Sequence, residues 1–317
     1  MSTSTYLSFL DSQFLILHSP FSILHSPFSI LHSPFSINFM CDFLTIRHHR
    51  FIWESRTYLM GILNVTPDSF SDGGQFNHRE TAIKHALTMI DRGADIIDIG
   101  GQSTRPGAKQ ISLDEELQRV IPIIKAIREL SDTPISIDTT RATVAQEAIE
   151  MGADIVNDIS SGTFDRTMLS TVAKLQVPII LMHIKGTPET MQNLTDYQDL
   201  IGEIKLFFQG VIKEALDLGI KKEYIILDPG IGFAKTYEQN LEILRNIQEL
   251  KTLGFPILIG TSRKSFIGKI LNQENPQDRI WGTAATCSYG ITQGANILRV
   301  HDVKEMYDVA RVTDAII

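Results

Sequence analysis

From Tyr58 onward the chain alternates short apolar runs with amphipathic stretches, and it does so eight times. The runs occupy residues 59–65, 96–99, 135–137, 155–156, 179–182, 224–227, 257–259 and 297–300. They are rich in β-branched residues and read as apolar throughout. That is the pattern of strands buried on both faces, as in a parallel sheet covered by helices. The stretches between them carry helix signals. Ser112 followed by Glu115 has the form of a capping box, with Leu117, Val120, Ile121 and Ile124 on one face. Ala82, Ile83, Ala86, Met89 and Ile90 make a second stripe that stops at Gly93, and a third helix is predicted over 238–250.

One turn recurs: Gly93-Ala94-Asp95-Ile96, Gly152-Ala153-Asp154-Ile155 and Gly294-Ala295-Asn296-Ile297. Each copy ends a helix on Gly and opens a strand on Ile, so the repeating unit is a helix feeding a strand. Eight such units in the last 260 or so residues fit an α/β (β/α)8 TIM barrel, whose usual size is about 250 residues. A doubly wound open sheet is the alternative architecture.

Residues 1–50 do not share this pattern. ILHSPFS occurs three times without error over 16–36. Pro20, Pro27 and Pro34 break any heptad helix and hold every apolar stretch well short of the roughly 20 residues that span a bilayer. No Lys or Arg precedes Arg47, so a basic targeting segment is missing. This portion is expected to be a disordered extension, or to be untranslated with Met40 as the start, and the barrel to occupy 51–317. Cys41 and Cys287 could pair, but one lies in the odd N-terminal segment and neither has zinc-like spacing; two isolated thiols suit a reducing, cytoplasmic setting. A net charge of −8 makes nucleic acid a poor partner, and no membrane association is expected.

The polar residues fall where the apolar runs end. Asn64 ends the first run and Gly100 to Arg105 follow the second. Asp138, Asn157-Asp158, His183 and Asp228 close the next four. Ser262 to Ser265 follow the seventh, and Arg299 with His301-Asp302 end the eighth. In a barrel these positions converge on one face around a single pit. At any one position a polar residue is as well explained as a strand terminator or helix cap. As a ring of Lys, Arg, His, carboxylates and amides, they are better explained as a site. Arg105, Arg299 and His301 suit phosphate oxygens, and Asn64 offers an oxygen to a hard cation such as Mg2+. Asp138 and Asp228 suit paired N–H donors of a flat amino-heterocycle, with Asn157 and Lys264 on its polar edge.

Five segments carry a resemblance. MGILNVTPDSFSDGG at 60–74, DIGGQSTRPG at 98–107, DPGIGF at 228–233, SRKS at 262–265 and RVHDV at 299–303 are similar, in order, to the signatures of dihydropteroate synthases. The resemblance covers about residues 58–317. Two departures are Gln102, where the family usually has Glu, and Thr140-Arg141, where Tyr-Lys is common. The resemblance implies condensation of 6-hydroxymethyl-7,8-dihydropterin diphosphate with p-aminobenzoate, giving 7,8-dihydropteroate and pyrophosphate, a step of folate synthesis. It implies Mg2+ on Asn64, diphosphate on Thr104, Arg105, Arg299 and His301, and pterin on Asp138, Asn157, Asp228 and Lys264. Phe70, Pro106, Phe233 and Ser265 would form the p-aminobenzoate site. Asn64, Lys264, Arg299 and His301 are the residues expected to carry catalysis. The glycine-containing loops 68–77 and 103–108 are expected to close over the site, and the family suggests a homodimer and a sulfonamide target. A pterin-binding methyltransferase domain and a non-catalytic pterin-binding paralogue are the alternatives. The first has no diphosphate to hold, and the second would be expected to have lost one of Asn64, Lys264, Arg299 or His301.

Overall fold

All eight apolar runs form strands, and a hairpin precedes them. The computed structural model describes residues 43–66 and 75–317, and of residues 75–78 only the helical backbone. The hairpin pairs β1 (Phe43–Ile46) with β2 (His49–Ile52). The barrel strands are β3 (Tyr58–Asn64), β4 (Ile96–Gly100), β5 (Ile135–Asp138), β6 (Ile155–Asp158), β7 (Ile179–Met182), β8 (Ile225–Asp228), β9 (Leu258–Ile259) and β10 (Ile297–Val300). Every neighbouring pair along the order β8-β7-β6-β5-β4-β3-β10-β9 is parallel, and a Leu227–Ile257 bridge closes the ring. The helices between strands are α1 (Gln75–Asp91), α2 (Leu113–Leu130), α3 (Ala142–Glu150), α4 (Met168–Leu175) and α5 (Leu200–Asp217). They continue with α6 (Tyr237–Arg245), α7 (Ile247–Lys251), α8 (Ser265–Leu271), α9 (Ile280–Thr292) and α10 (Val303–Ile316). The architecture is the (β/α)8 barrel, not the open sheet. No helix among the described residues is long and apolar enough to cross a membrane.

The recurrent turn works as a clasp. Gly93, Gly152 and Gly294 have φ of 100°, 114° and 95°, which side-chain-bearing residues rarely adopt. The amide of the following Ala donates back to Met89, Ala148 or Gly290, in the pattern that ends helices on glycine. Asp95, Asp154 and Asn296 then each make two bonds to the strand beside them. Asp95 N donates to Leu59 O at 2.8 Å while its carboxylate accepts from Leu59 N at 2.8 Å. Asp154 does the same with Ile135, and Asn296 with Ile257. The triplet thus sets the strand register as well as stopping the helix.

Two local expectations need correction. Ser112 caps α2 by accepting from Glu115 N at 3.1 Å, but the Glu115 carboxylate turns to Arg119 at 2.5 Å. The reciprocal capping box is found instead at α6, between Thr236 and Gln239. The single helix predicted over 238–250 breaks at Asn246, whose side chain donates to Glu242 O at 2.8 Å. A short amide side chain competes there with the helical hydrogen-bond pattern.

The hairpin takes in residues 43–50, which the sequence pattern placed in the extension. Leu44, Ile46, Phe51 and Trp53 are buried against Tyr58, Met60, Ile96, Ile155, Ile180, Ile226, Leu258 and Ile297. Those barrel residues are the inward-facing side chains at the N-terminal ends of the strands, so the hairpin is a plug in the bottom of the barrel. Arg47 adds a 2.6 Å ion pair to Asp154. The expectations for residues 1–42 lie outside the described residues.

Candidate active site

Side chains alternate sides along a strand, so the residue two positions after each bottom-layer residue faces the same interior. Two residues after Ile96, Ile155, Ile226 and Ile297 stand Asp98, Asn157, Asp228 and Arg299. Met60 is followed in the same way by Ile62 and Asn64, and Ser136 by Asp138. The barrel interior is therefore apolar at one end and polar at the other. The outward set, including Leu59, Ile97, Ile99, Ile137, Leu181, Leu227 and Leu298, packs under the helices.

Arg299 is the hub of the pit. Its guanidinium reaches Asp98 at 2.6 Å and Asp138 at 2.5 Å. Asn157 Nδ2 donates to the same Asp98 carboxylate at 3.2 Å. Burial alone would lower the Arg299 pKa, but Asp98 and Asp138 more than offset this and keep it charged. Asp138 is pushed up to about 7, by burial first and by the Asp98 carboxylate as well, with Arg299 pulling the other way. Asp228, raised by burial, accepts from Gly230 N at 2.8 Å. Lys264 lies with its ammonium 4.2 Å from the centre of the Phe233 ring and is lowered to about 8 by burial, with Asp228 opposing.

His301 stands at the rim. Its Nδ1 is 3.0 Å from Ser262 Oγ, and Ser262 Oγ also accepts from His301 N at 3.1 Å. Burial, followed by Arg263, Arg299, Arg105 and Lys264, lowers the ring to about 3 and leaves it neutral. Four cations surrounding one neutral imidazole describe a place prepared for an anion. Arg263, itself paired with Asp302 at 2.6 Å, adopts φ of 58° at the turn that leads to Lys264.

Thr104 is partly buried, while Arg105 and Pro106 are exposed, on a loop that docks through Gly107 N to Pro188 O at 3.0 Å. Gln102 holds this loop from its base. Its Nε2 donates to Ser103 O and Lys109 O at 2.8 and 2.9 Å, and its Oε1 accepts from Ile111 N at 2.8 Å. Ser265 is exposed at the first position of α8, beside Lys264. Asn64 is partly exposed at the end of β3. Phe70 and most of the loop 68–77 lie outside the described residues.

The structure thus joins Asp138 to Arg299 directly and Asn157 to Arg299 through the shared Asp98 carboxylate. It sets Asp228, Lys264 and Phe233 together and surrounds His301 with charge. Thr104 and Pro106 stand on the loop after β4, and Ser265 at the start of α8. Sequence reasoning passed over two features. Asp98 was hidden inside a run read as apolar. Its inward register, two residues from Ile96, is the signal that would have found it. The second is Lys235, buried at the end of the 229–235 loop. Its Nζ lies 3.0 Å from His183 Nδ1 and donates to Phe233 O at 2.8 Å.

The sequence pattern that defines the family described as "Pterin binding enzyme" matches residues 60–301. The dihydropteroate synthase of Synechocystis sp. is 62% identical over 266 residues, covering 84% of this chain and 92% of its own length. A Clostridium difficile dihydropteroate synthase, solved in the presence of pteroic acid, superposes with a TM-score of 0.79 at 52% identity, over 83% of this chain and 98% of that one. The Xanthomonas albilineans dihydropteroate synthase solved with 4-aminobenzoic acid does so with a TM-score of 0.81 at 38% identity, over 87% and 98%. With this fold, this pit and these relatives, the chain belongs to the dihydropteroate synthases, within the family of pterin-binding enzymes.

Proposed function

We propose that this chain joins p-aminobenzoate to the methylene carbon of 6-hydroxymethyl-7,8-dihydropterin diphosphate through the residues of this pit. The observation that carries the reading is the division of the pit into two regions. Asp138, Asn157 and Asp228 line a buried, acceptor-rich wall that suits the N–H edge of a pterin. Arg105, Arg263 and Arg299 surround His301 and suit a diphosphate. The same cationic surround argues against methyl transfer, which has no such anion to hold.

The C–O bond between the methylene carbon and the diphosphate breaks, and its electron pair leaves with pyrophosphate. Arg299, Arg105 and His301 stabilise that departing charge, which is where a preorganised electropositive site lowers the barrier most. The pterin ring spreads the positive charge left on carbon, held by Asp138, Asn157, Asp228 and Lys264. The aryl amine then bonds to that carbon and releases a proton. Phe233, Pro106, Ser265 and Phe70 are the residues proposed to seat the amine. Phe233 supplies an aromatic face already stacked on Lys264.

Mg2+ fits the mouth of the pit. Asn64 is partly exposed there and offers a neutral amide oxygen. A hard cation that keeps most of its waters can take one such ligand and the diphosphate oxygens. When bound, it would neutralise charge on the leaving group. We further assign catalysis to the barrel of residues 51–317, with the hairpin as its plug. The free, buried Cys287 fits a cytoplasmic setting. A homodimer is supported by exposed Trp281 and Tyr289 on α9 and Val312 and Ile316 on the adjoining α10. Mass spectrometry of a reaction holding both substrates and Mg2+ tests the function. Dihydropteroate must appear with the unaltered chain and fall at least a hundredfold with Arg299→Met, about 2.7 kcal/mol of lost transition-state stabilisation. Undiminished product from Arg299→Met would contradict the assignment.

A further inference from the structure

We propose that Asp98 is a positioning residue that sets the hydrogen-bonding polarity of the pit wall. The inference rests on the pterin-site reading above and adds to it a residue that touches no substrate.

Asp98 has no exposed surface. Its carboxylate, on β4, serves two partners that lie two strands away on either side, Arg299 of β10 at 2.6 Å and Asn157 Nδ2 of β6 at 3.2 and 3.4 Å. An ionised carboxylate only accepts hydrogen bonds. Asn157 must therefore turn its NH2 group down to Asp98, and its carbonyl oxygen is directed away, toward the pit. An unconstrained Asn could present either end. Here the end is chosen from below, so Asn157 meets a ligand with an acceptor oxygen, in the company of Asp138 and Asp228. The wall is therefore selective for a ring edge rich in N–H donors. The Asp98 carboxylate also holds the Arg299 guanidinium, so one buried group fixes both the acceptor wall and the cation beside it. Asp98 could not be replaced by an amide without conflict. Asn at this position has one oxygen, taken by Arg299, and its NH2 would face the NH2 of Asn157. Asn157 would then rotate and offer N–H groups to the ligand.

A swap distinguishes this role from simple structural support. In Asp98→Asn combined with Asn157→Asp, the new amide accepts from Arg299 and donates to the new carboxylate. The second oxygen of that carboxylate again faces the pit as an acceptor. Pteroic acid binding is measured by titration calorimetry for the unaltered chain, Asp98→Asn, Asn157→Asp and the double variant, with melting temperatures alongside. The expected result is a loss of about tenfold or more in affinity for each single variant, as for a buried polar group left mispaired. The double variant is expected to recover to within about fivefold of the unaltered chain. If Asp98→Asn does not fold, the comparison of Asn157→Asp with the double variant carries the test. Single variants that bind as tightly as the unaltered chain, or a folded double variant that binds no better than Asn157→Asp, would overturn the role of Asp98 alone. No pteroic acid binding by the unaltered chain would overturn the pterin-site reading and this inference with it.

Discussion

The guanidinium of Arg299 reaches the carboxylate of Asp138 at 2.5 Å across the barrel interior, and Asp138 still titrates at about 7. Burial outweighs the ion pair. A carboxyl whose pKa is raised on folding stabilises the fold at low pH. That contribution is full below its ordinary value of 3.8 and is lost as pH rises through about 7. Pterin binding has the opposite requirement, because only the ionised form accepts two N–H donors. Pteroic acid affinity should therefore rise between pH 6 and pH 8, by up to about tenfold per unit below the pKa. In Asp138→Asn the affinity should be lower and nearly flat over that range. Over the same interval the melting temperature of the unaltered chain should fall relative to the variant. Parallel profiles for the two proteins would contradict the assignment.

Gln102 is the departure from the family pattern with the clearest physical consequence. Its amide donates to Ser103 O and Lys109 O and accepts from Ile111 N, closing the loop that carries Thr104, Arg105 and Pro106. A carboxylate keeps the bond from Ile111 and faces the other two carbonyls with no proton to give. Gln102→Glu should speed amide exchange across 103–111 measurably. Because the bond from Ile111 N and the dock of Gly107 N on Pro188 O both remain, kcat/KM should change by less than about tenfold. Unchanged exchange in the variant would show that the two donated bonds do not hold the loop.

Gly230 is irreplaceable on two grounds. Its φ is 72°, and a Cβ there would lie 2.0 Å from His183 O, a backbone atom that cannot step aside. Gly230→Ala should cost about 2–4 kcal/mol, from left-handed strain together with the clash. It should also displace Phe233 from Lys264, since Phe233 N donates to Gly230 O at 3.0 Å. Urea unfolding checks the first expectation. The KM for p-aminobenzoate in the residual folded enzyme checks the second, and it should rise.

Eight strands and their convergence were legible because burial on both faces leaves an unbroken apolar signature. Three details were not, each for a local reason. The hairpin of residues 43–52 carries His48, His49 and Arg50 in its turn and second strand, and its buried residues are too few to set a period. The break at Asn246 depends on one side-chain hydrogen bond that periodicity does not register. Asp98 was missed because a buried run was read as uniform, whereas in a barrel inward and outward positions meet different surroundings. Asp138, Asn157 and Asp228 were found because they directly follow their runs, where a change to polar residues is conspicuous, and Arg299, placed within its run as Asp98 is, because His301 and Asp302 follow it at once.

The plug and the pit occupy opposite ends of the barrel, so they should separate in experiment. Trp53 is 4% exposed and packs against Phe51 and Tyr58. Trp53→Ala should cost about 3–5 kcal/mol of stability, as large core truncations do. At a temperature where the variant remains folded, kcat and KM should stay within about twofold of the unaltered chain. A large loss of kcat in folded protein would mean that the bottom layer governs the pit above it.

The most direct test follows pyrophosphate release from the dihydropterin diphosphate with Mg2+, with and without p-aminobenzoate. It is run on the full chain and on a variant beginning at Met40. The account predicts release that depends on p-aminobenzoate, matches dihydropteroate formed one for one, and is the same for both proteins. Well-folded protein that binds pteroic acid but releases no pyrophosphate would contradict it.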